Sequence, residues 1–270
     1  LVVTNESNGC VTTSTITVTI DTLAPVAEAG TAAQIDCDNP TVTLDGSGSD
    51  GGNHAYQWST DEGAILNGET GLTPTVGEPG AYWLTVTDLN NGCQSSDLIE
   101  VTIDDAVPTV SIPAPERLTC VNEWVTLTGQ ADPNLEFQWF DANGAPLGLD
   151  NPPSIDVNLP GVYQLVVTDP ENGCANSETA EVIQDIEPPL AEAGSDGELN
   201  CIATSLHLDG SGSSTGPDFS YQWSTDEGYI LSGTTTPRPV INREGVYVLL
   251  VTDTDNGCTA SDQLTITEEI

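Results

Sequence analysis

The stretch Tyr56-Gln57-Trp58-Ser59-Thr60-Asp61-Glu62-Gly63 decides the fold, because it recurs unchanged at residues 221–228. A shortened version, Phe-Gln-Trp-Phe-Asp, occupies residues 137–141 between the two copies. A second block, Gly-Ala-Tyr-Trp-Leu-Thr-Val-Thr-Asp at residues 80–88, has counterparts at 161–169 and 245–253. Blocks that return at a fixed spacing along a chain indicate tandem structural repeats.

An Asn-Gly-Cys tag occurs four times, against three copies of the Trp block. Its cysteines are separated by 83, 81 and 84 residues: Cys10, Cys93, Cys174 and Cys258. We therefore expect residues 1–21 to be the C-terminal strands of a truncated preceding repeat. The complete repeats are expected at residues 22–104, 105–185 and 186–270. A period of about 82 residues is too long for a solenoid unit and suits a small autonomous domain.

Each repeat has the two-residue periodicity of strands. Tyr82, Leu84 and Val86 alternate with Trp83, Thr85 and Thr87, which predicts one buried and one solvated strand face. No segment has a helical periodicity. In the first repeat the strands are predicted near 31–37, 41–45, 55–59, 64–66, 72–76, 81–88 and 94–103. About seven short strands per repeat, separated by turn residues, predict an all-β, two-sheet antiparallel sandwich.

Particular residues have predicted places in this sandwich. Trp58, Trp139 and Trp223 are expected on the third strand, where an indole fills the space between the two sheets. Asn91-Gly92, between two alternating runs, is a strong hairpin signal, since both central positions of that turn need a positive φ. The proline-bearing linkers at 24–25, 107–108 and 188–189 favour extended connections, so we expect an elongated rod of domains.

The composition excludes several classes of function. The 270 residues contain 42 Asp and Glu against 3 Lys and Arg, for a net charge of −39. Such a chain lacks the cations that nucleic acids or anionic membranes attract. No apolar run approaches the ~18 residues of a membrane-spanning helix. No catalytic constellation is found either: His54 lies in a Gly/Asn loop, His207 alternates with leucines on a strand, and we expect no enzyme.

Together these motifs resemble the PKD-like and immunoglobulin-like repeats of large secreted bacterial surface proteins. The resemblance covers nearly the whole chain and includes Ala-Glu-Ala-Gly at 27–30 and 191–194, and Leu-Asp-Gly-Ser-Gly-Ser at 44–49 and 208–213. The middle repeat departs from it at 128–133, where Thr-Gly-Gln-Ala-Asp-Pro replaces the second motif. The resemblance implies tandem Ig-like (PKD-like) sandwiches in a secreted surface protein, often an adhesin.

The seven cysteines become orderly in such an array. Each complete repeat has one cysteine before its second strand and one after Asn-Gly, and Cys10 belongs to the truncated repeat, with its partner outside this segment or in a neighbour. The pairs of the three complete repeats are Cys37 with Cys93, Cys120 with Cys174, and Cys201 with Cys258. No metal-binding spacing is present, so disulfides in an oxidising compartment are expected.

The disulfide connectivity has two alternatives. The first closes each bond within one repeat. The second bonds Cys37 to Cys174 and Cys120 to Cys258, because the first and sixth turns of a sandwich lie at opposite ends. A disulfide needs its Cα atoms within ~7 Å, whereas a strand of ~7 residues exceeds 20 Å.

Calcium is the one ligand that the sequence suggests. Its six to eight oxygen ligands would come from turn carboxylates at one end of each sandwich, where it would stiffen the junction between repeats. The alternative is that these residues are solvated turn residues. The candidate ligands are Asp21, Asp45, Asp50, Asp88, Asp104, Asp105, Asp132, Asp169, Asp185, Asp209 and Asp253.

The sequence thus predicts a structural and adhesive segment of an extracellular bacterial surface protein or filament. Its expected partners are neighbouring repeats or copies of itself, with surface glycans or other cells as targets. Two alternatives are carbohydrate-binding modules, for which Trp83 and Trp124 are the spare indoles, and non-catalytic spacers of a larger secreted enzyme. No cofactor is required in any of these roles, apart from the calcium considered above.

Overall fold

A computed structural model describes residues 1–148 and 152–269. Within this range the regular structure consists of strands, and none of it is a helix that could span a membrane. The chain divides into two compact units. The first is Leu1–Val107 with Asp169–Cys174, and the second is Pro108–Thr168 with Ala175–Ile270. Both are built from β-sandwiches, so the predicted all-β tandem sandwich fold is confirmed.

The first unit contains an exposed hairpin and one complete sandwich. Its strands are β1 (Val2–Thr4), β2 (Val11–Thr13), β3 (Ala33–Asp36), β4 (Val42–Thr43), β5 (His54–Thr60), β6 (Ile65–Asn67), β7 (Thr75–Val76), β8 (Gly80–Asp88) and β9 (Gln94–Asp104). Strands β1 and β2 form the hairpin; one sheet has the order β3-β9-β8-β5 and the other β4-β7-β6. Strand β3 runs parallel to β9, and β8 is antiparallel to β5 and β9. Seven strands divided between two sheets give an immunoglobulin-like sandwich.

The second unit contains the middle and third repeats. The middle repeat has β10 (Val110–Ser111), β11 (Leu118–Thr119), β12 (Val125–Thr128), β13 (Gln130–Ala131), β14 (Glu136–Phe140), β15 (Pro146–Leu147), β16 (Ser154–Val157), β17 (Gly161–Thr168), β18 (Ala175–Val182) and β19 (Gln184–Asp185). The third repeat has β20 (Gly197–Asn200), β21 (Leu206–His207), β22 (Phe219–Thr225), β23 (Ile230–Ser232), β24 (Val240–Ile241), β25 (Gly245–Asp253) and β26 (Thr259–Glu269). The third repeat copies the first, with sheets β20-β26-β25-β22 and β21-β24-β23.

The middle repeat differs from the expected seven strands. Its main sheet is β15-β14-β17-β18, and the remaining strands form the pairs β12-β16, β11-β19 and β10-β13. The pair β10-β13 lies where the middle repeat departs from the Leu-Asp-Gly-Ser-Gly-Ser motif. In place of that motif, Gln130 and Ala131 are extended and pair with Ser111 and Val110.

Each repeat has its own hydrophobic core around one tryptophan. Trp58, Trp139 and Trp223 are 1%, 0% and 1% exposed. The indole N–H of each donates to a loop carbonyl oxygen, on Gly71 at 3.0 Å, Pro152 at 3.2 Å and Thr236 at 3.1 Å. Burying an aromatic ring with its polar atom satisfied stabilises the contact between the two sheets.

In each repeat a tyrosine in the long strand forms hydrogen bonds with the turn that precedes this strand. The hydroxyl of Tyr82 donates to the Glu78 carbonyl at 2.7 Å and accepts from the Ala64 N–H at 3.0 Å. Tyr163 makes the equivalent bond to the Leu159 carbonyl at 2.9 Å. Burial raises the pKa of both phenols, because it disfavours the phenolate.

One glycine of the Leu-Asp-Gly-Ser-Gly-Ser motif is required by the core. A methyl group added at Gly46 would lie 2.9 Å from Leu84 Cδ2 and 3.1 Å from Trp58 Cζ2. Gly210 and Gly129 occupy the same position in the other repeats and face Leu249 and Leu165. The middle repeat therefore keeps the one glycine that lets the loop approach the core.

Candidate functional site

The Asn-Gly-Cys tag forms a closed loop between the last two long strands of a repeat. In the first repeat the Asp88 N–H donates to the Cys93 carbonyl at 2.9 Å, and the Gly92 N–H donates to the Asp88 carbonyl at 2.8 Å. The Cys93 N–H donates to Asn91 Oδ1 at 2.8 Å. Gly92 has φ +76°, whereas Asn91 is not among the positive-φ residues. The two-residue turn expected here is therefore wrong: the loop is longer and needs one left-handed position, which glycine supplies.

The early cysteine of each repeat follows its first sandwich strand. Cys37 comes directly after β3, where the Asp36 N–H donates to the Asn39 carbonyl at 3.1 Å. Cys120 follows β11, and Cys201 follows β20. The three loops share this bond, from Asp36 to Asn39, Thr119 to Asn122 and Asn200 to Ala203.

Two disulfides join early cysteines to late ones. Cys37 is bonded to Cys174 and Cys120 to Cys258, with Cα–Cα distances of 5.1 and 5.0 Å. These are the bonds of the second alternative from the sequence, and each links one repeat to the next. Cys93 and Cys201 are free thiols, so the first alternative does not form. Cys10, on the exposed hairpin, is also free.

A hydrogen-bond pattern accompanies the first disulfide, and we call a disulfide with this pattern a staple. The Cys37 N–H donates to the Asn172 carbonyl at 3.0 Å. The Asn172 Nδ2 donates to Asp104 Oδ1 at 3.0 Å and to the Ala106 carbonyl at 3.1 Å. The tag asparagine therefore binds both its own linker and the early cysteine of the preceding repeat.

The second staple repeats this pattern. The Cys120 N–H donates to the Asn256 carbonyl at 3.1 Å. The Asn256 Nδ2 donates to Asp185 Oδ1 at 2.9 Å and to the Glu187 carbonyl at 3.0 Å. Asn172 and Asn256 are only 3% and 2% exposed, and their polar atoms are satisfied.

An ion-pair cluster strengthens the second staple. Arg117 Nη2 lies 2.6 Å from Asp255 Oδ1, and its Nη1 lies 3.3 Å from Asp185 Oδ2. Arg117 lowers the pKa of the Asp255 carboxyl through hydrogen bonding and charge. The equivalent positions in the first and third repeats, three residues before Cys37 and Cys201, are Gln34 and Glu198. This cluster uses one of the few arginines in an acidic chain.

The glycine of the tag lies against the residue after the early cysteine. A methyl group added at Gly257 would be 2.6 Å from Val121 Cγ1. Gly173 approaches the Asp38 carboxylate in the same way. The tag thus needs glycine for two reasons, its left-handed backbone and the close approach of the partner loop.

The structure does not bring the calcium candidates together. In the described residues no group of three or more His, Cys, Asp or Glu side chains could hold a metal ion. Many of these carboxylates instead accept an N–H two residues ahead: Asp21 from Leu23, Asp45 from Ser47, Asp88 from Asn90, Asp104 from Ala106, Asp169 from Glu171, Asp209 from Ser211 and Asp253 from Asp255. Such turns are the reason that aspartate is common in loops.

Other candidate carboxylates have separate positions. Asp50 Oδ2 accepts from the Val26 N–H at 2.7 Å. Asp104 and Asp185 belong to the staples, while Asp105 and Asp132 lie in a linker and a loop. Hydrogen bonds from Ser47 lower the pKa of Asp45, an ordinary effect in such a turn.

The candidate histidines and spare tryptophans lie apart from the staples in sequence. His54 Nδ1 lies 2.9 Å from the Gly51 carbonyl at the start of β5, and His207 is exposed on β21. Trp83 is 43% exposed on the outer face of β8, opposite Leu98. Trp124 is 57% exposed and lines a groove of about 460 Å³ with Pro113 to Glu116 and Asn122.

Comparison with known proteins gives similarities of fold. No protein-family model matches the sequence. A titin I-band fragment is 12% identical, with a TM-score of 0.39, covering 92% of this chain and 100% of the fragment. The N-terminal eight Ig domains of the Down syndrome cell adhesion molecule are 12% identical, with a TM-score of 0.41, covering 92% of this chain and 37% of that one. A PKD domain determined in solution is 27% identical, with a TM-score of 0.25, covering 31% of this chain and 90% of that domain.

Proposed function

We propose that this chain is a structural and adhesive segment of an extracellular bacterial surface protein or filament. Its sandwiches, tied in series, would project or attach the cell. The two staples carry the proposal, because each crosses from one repeat to the next instead of closing a single sandwich. Bonds in that position resist the separation of neighbours, which matters when a chain is pulled.

Two further properties support an extracellular location. Disulfides persist in oxidising compartments and are rare in the cytosol. The net charge of −39 keeps copies of so acidic a chain apart, and salt outside the cell screens this repulsion. The location and bacterial setting also follow the resemblance of the repeat motifs to secreted surface proteins.

Immunogold electron microscopy tests the location, using antibodies raised against the purified chain on intact producing cells. We expect label on material outside the cell envelope. A thiol alkylation assay on unreduced native protein should leave Cys37, Cys120, Cys174 and Cys258 unmodified until a reductant is added. Label confined to the cell interior, or four freely alkylated cysteines, would overturn the proposal.

A carbohydrate-binding role is the second candidate, and the Trp124 groove favours it. An exposed indole beside prolines and an asparagine offers a stacking surface with polar neighbours, as sugar-binding sites do. Glycan-array binding that is lost in Trp124→Ala and retained in Trp83→Ala would establish this role. An array without binding by the unaltered chain would reject it.

A further inference from the structure

The free cysteines Cys93 and Cys201 occupy the same positions as cysteines that are bonded elsewhere in the chain. Cys93 ends the tag of the first repeat, as Cys174 and Cys258 end theirs. Cys201 follows β20, as Cys37 and Cys120 follow β3 and β11. Two of the three early cysteines, Cys37 and Cys120, are bonded, each to the tag cysteine of the following repeat.

We propose that Cys201 and Cys93 are the two halves of a further staple, which joins this chain to another repeat of the same kind. The early loop at Cys201 would receive a following Asn-Gly-Cys tag. The tag at Cys93 would receive a preceding early loop. A second copy of this chain supplies both halves, so that Cys201 of one copy bonds to Cys93 of the next. This inference deepens the proposed structural function, and its test uses the purified chain alone.

The tag at Cys93 already has the conformation of the bonded tags. Gly92, Gly173 and Gly257 have φ values of +76°, +70° and +72°. The Asn91 Nδ2 donates to the Leu23 carbonyl at 3.0 Å, as the other two tag asparagines bind their linkers. Within the part of the chain that the structure describes, the Asn91 carbonyl has no partner, although its counterparts accept from Cys37 and Cys120.

The loop at Cys201 offers the matching surface. Cys201 is exposed, and its N–H has no partner among the described residues. Ile202, the counterpart of Val121, is 97% exposed. Nothing lies within 4 Å of a methyl group added at Gly92, so this glycine has an open face where Val121 covers Gly257. Ile202 on Gly92 would reproduce the contact of the second staple.

The charges of the two free halves are compatible at one of the two positions that Arg117 contacts in the second staple. In the second staple, position 117 faces position 255 as an Arg–Asp pair. The corresponding residues of the proposed staple are Glu198, three residues before Cys201, and Asn90, three before Cys93. Glu198 would thus meet an amide where Arg117 meets Asp255, whereas Asp21, the counterpart of Asp185, places a carboxylate at the second position that Arg117 contacts.

The tag at Cys10 provides an internal control. Its Cys10 N–H donates to Asn8 Oδ1 at 3.1 Å and Gly9 has φ +74°, so the loop itself is formed. The surrounding hairpin is exposed on both strands, unlike the sandwich strands on either side of Cys93. Cys10 is therefore expected to bond less readily than Cys93 under the same conditions.

Bond formation requires an oxidant, and glutathione disulfide supplies it by thiol–disulfide exchange. Two thiols lose two protons and two electrons and form one S–S bond, while one glutathione disulfide becomes two glutathiones. The purified chain, as an equal mixture of ¹⁵N-labelled and unlabelled material, is incubated in a glutathione redox buffer. We expect a ladder of multimers on a non-reducing gel and a mixed-isotope Cys93–Cys201 peptide by mass spectrometry.

Variants separate a specific staple from random oxidation. Cys93→Ser and Cys201→Ser should each abolish the ladder, and Cys10→Ser should leave it. Asn90→Asp places a carboxylate opposite Glu198 and should lower the rate about two- to fivefold, the range of a surface charge pair. Adding Glu198→Arg to that variant recreates the pair of the second staple and should restore the rate.

Several outcomes would overturn this inference. The first is a dominant peptide that joins Cys201 to Cys201 or Cys10 to Cys201. The second is a Cys93–Cys201 peptide that never mixes labelled and unlabelled halves, which would place the bond within a single chain. The third is a product of monomers that carry glutathione and form no ladder. These results leave the immunogold result of the proposed function unaffected, so the two failures are distinguishable.

Discussion

Removing the staples should lengthen the fully stretched chain in a strongly non-additive way. With both disulfides closed, force passes from Leu1 to Cys37, crosses to Cys174, returns along the backbone to Cys120 and crosses to Cys258. This path contains about 36, 54 and 12 residues in its three backbone sections, so at ~3.5 Å per residue the unfolded chain reaches roughly 360 Å. The remaining residues form slack loops that carry no load.

The expected lengths of the variants follow from the same path. With one staple open, the path contains about 130 residues and reaches roughly 460 Å. With both open, all 270 residues extend, to roughly 940 Å. The first opening thus adds roughly 100 Å and the second roughly 480 Å, whichever staple opens first. The reason is that the two disulfide loops, with separations of 137 and 138 residues, share the segment between Cys120 and Cys174.

Optical tweezers with handles on both chain ends measure these lengths in a non-reducing buffer. Cys10, Cys93 and Cys201 are first replaced by serine, so that only the staple cysteines remain. Paired substitutions then open the first staple (Cys37→Ser with Cys174→Ser), the second (Cys120→Ser with Cys258→Ser), or both. Thermal unfolding in parallel checks that each variant is folded before it is pulled.

The serine background is what makes the experiment decisive. In the unaltered chain, one disulfide within each of the three repeats would remove about as many residues from the load-bearing path as the two staples do. In the serine background, Cys120 and Cys174 are the remaining pair that belongs to one repeat. A disulfide between them would remove about 54 residues from the load-bearing path. A background chain that stretches to roughly 750 Å would therefore refute the staple connectivity.

Three further predictions test the sandwiches and the second staple. Trp58→Ala should destabilise the first repeat by about 3–5 kcal/mol. Trp83→Ala is the control, because the Trp83 indole is 43% exposed, and it should change the stability far less when both variants are unfolded in urea. Tyr82→Phe removes two hydrogen bonds and should lose more stability, about 1–3 kcal/mol, than Tyr163→Phe, which removes one, and the opposite order in urea unfolding would contradict this. Asp255→Asn should lower the melting temperature near neutral pH, and the difference from the unaltered chain should shrink as the pH falls below 3.8, because the lowered pKa of this carboxyl makes its contribution greatest when it is ionised.

The sandwich architecture could be predicted because the relevant signals are local. Alternation in residues 81–88 fixes which side chains face the core, and the structure buries Tyr82, Leu84 and Val86 completely. The recurring Trp block fixes the centre of each core. The role of Gly46 could not be predicted in the same way, since a turn glycine and a glycine pressed against Trp58 are identical in sequence.

The staples were less accessible to sequence analysis than the fold. The cysteine spacing repeats regularly whether Cys37 bonds to Cys93 or to Cys174, so the sequence left both alternatives open. Only the three-dimensional position of the tag loop distinguishes them. The calcium candidates could not be sorted from the sequence for a related reason: aspartates that each close their own turn have the same spacing as aspartates that share an ion.

The load path also explains why both cysteines of a repeat are needed although they are not bonded to each other. In the closed chain the force that enters the middle repeat at Cys174 leaves it at Cys120, so the backbone between its two cysteines is the shortest connection between the staples. That section is about 54 residues, whereas the repeat period is about 82, and each stapled repeat therefore withholds about a third of its length from extension. If the staple at Cys93 and Cys201 forms as proposed, a shorter route opens, because the force that arrives at Cys174 passes forward through about 27 residues to Cys201 and crosses there to the next copy. The section between Cys120 and Cys174 is then slack, so the proposed staple moves the load from the middle repeat to the linker that follows it.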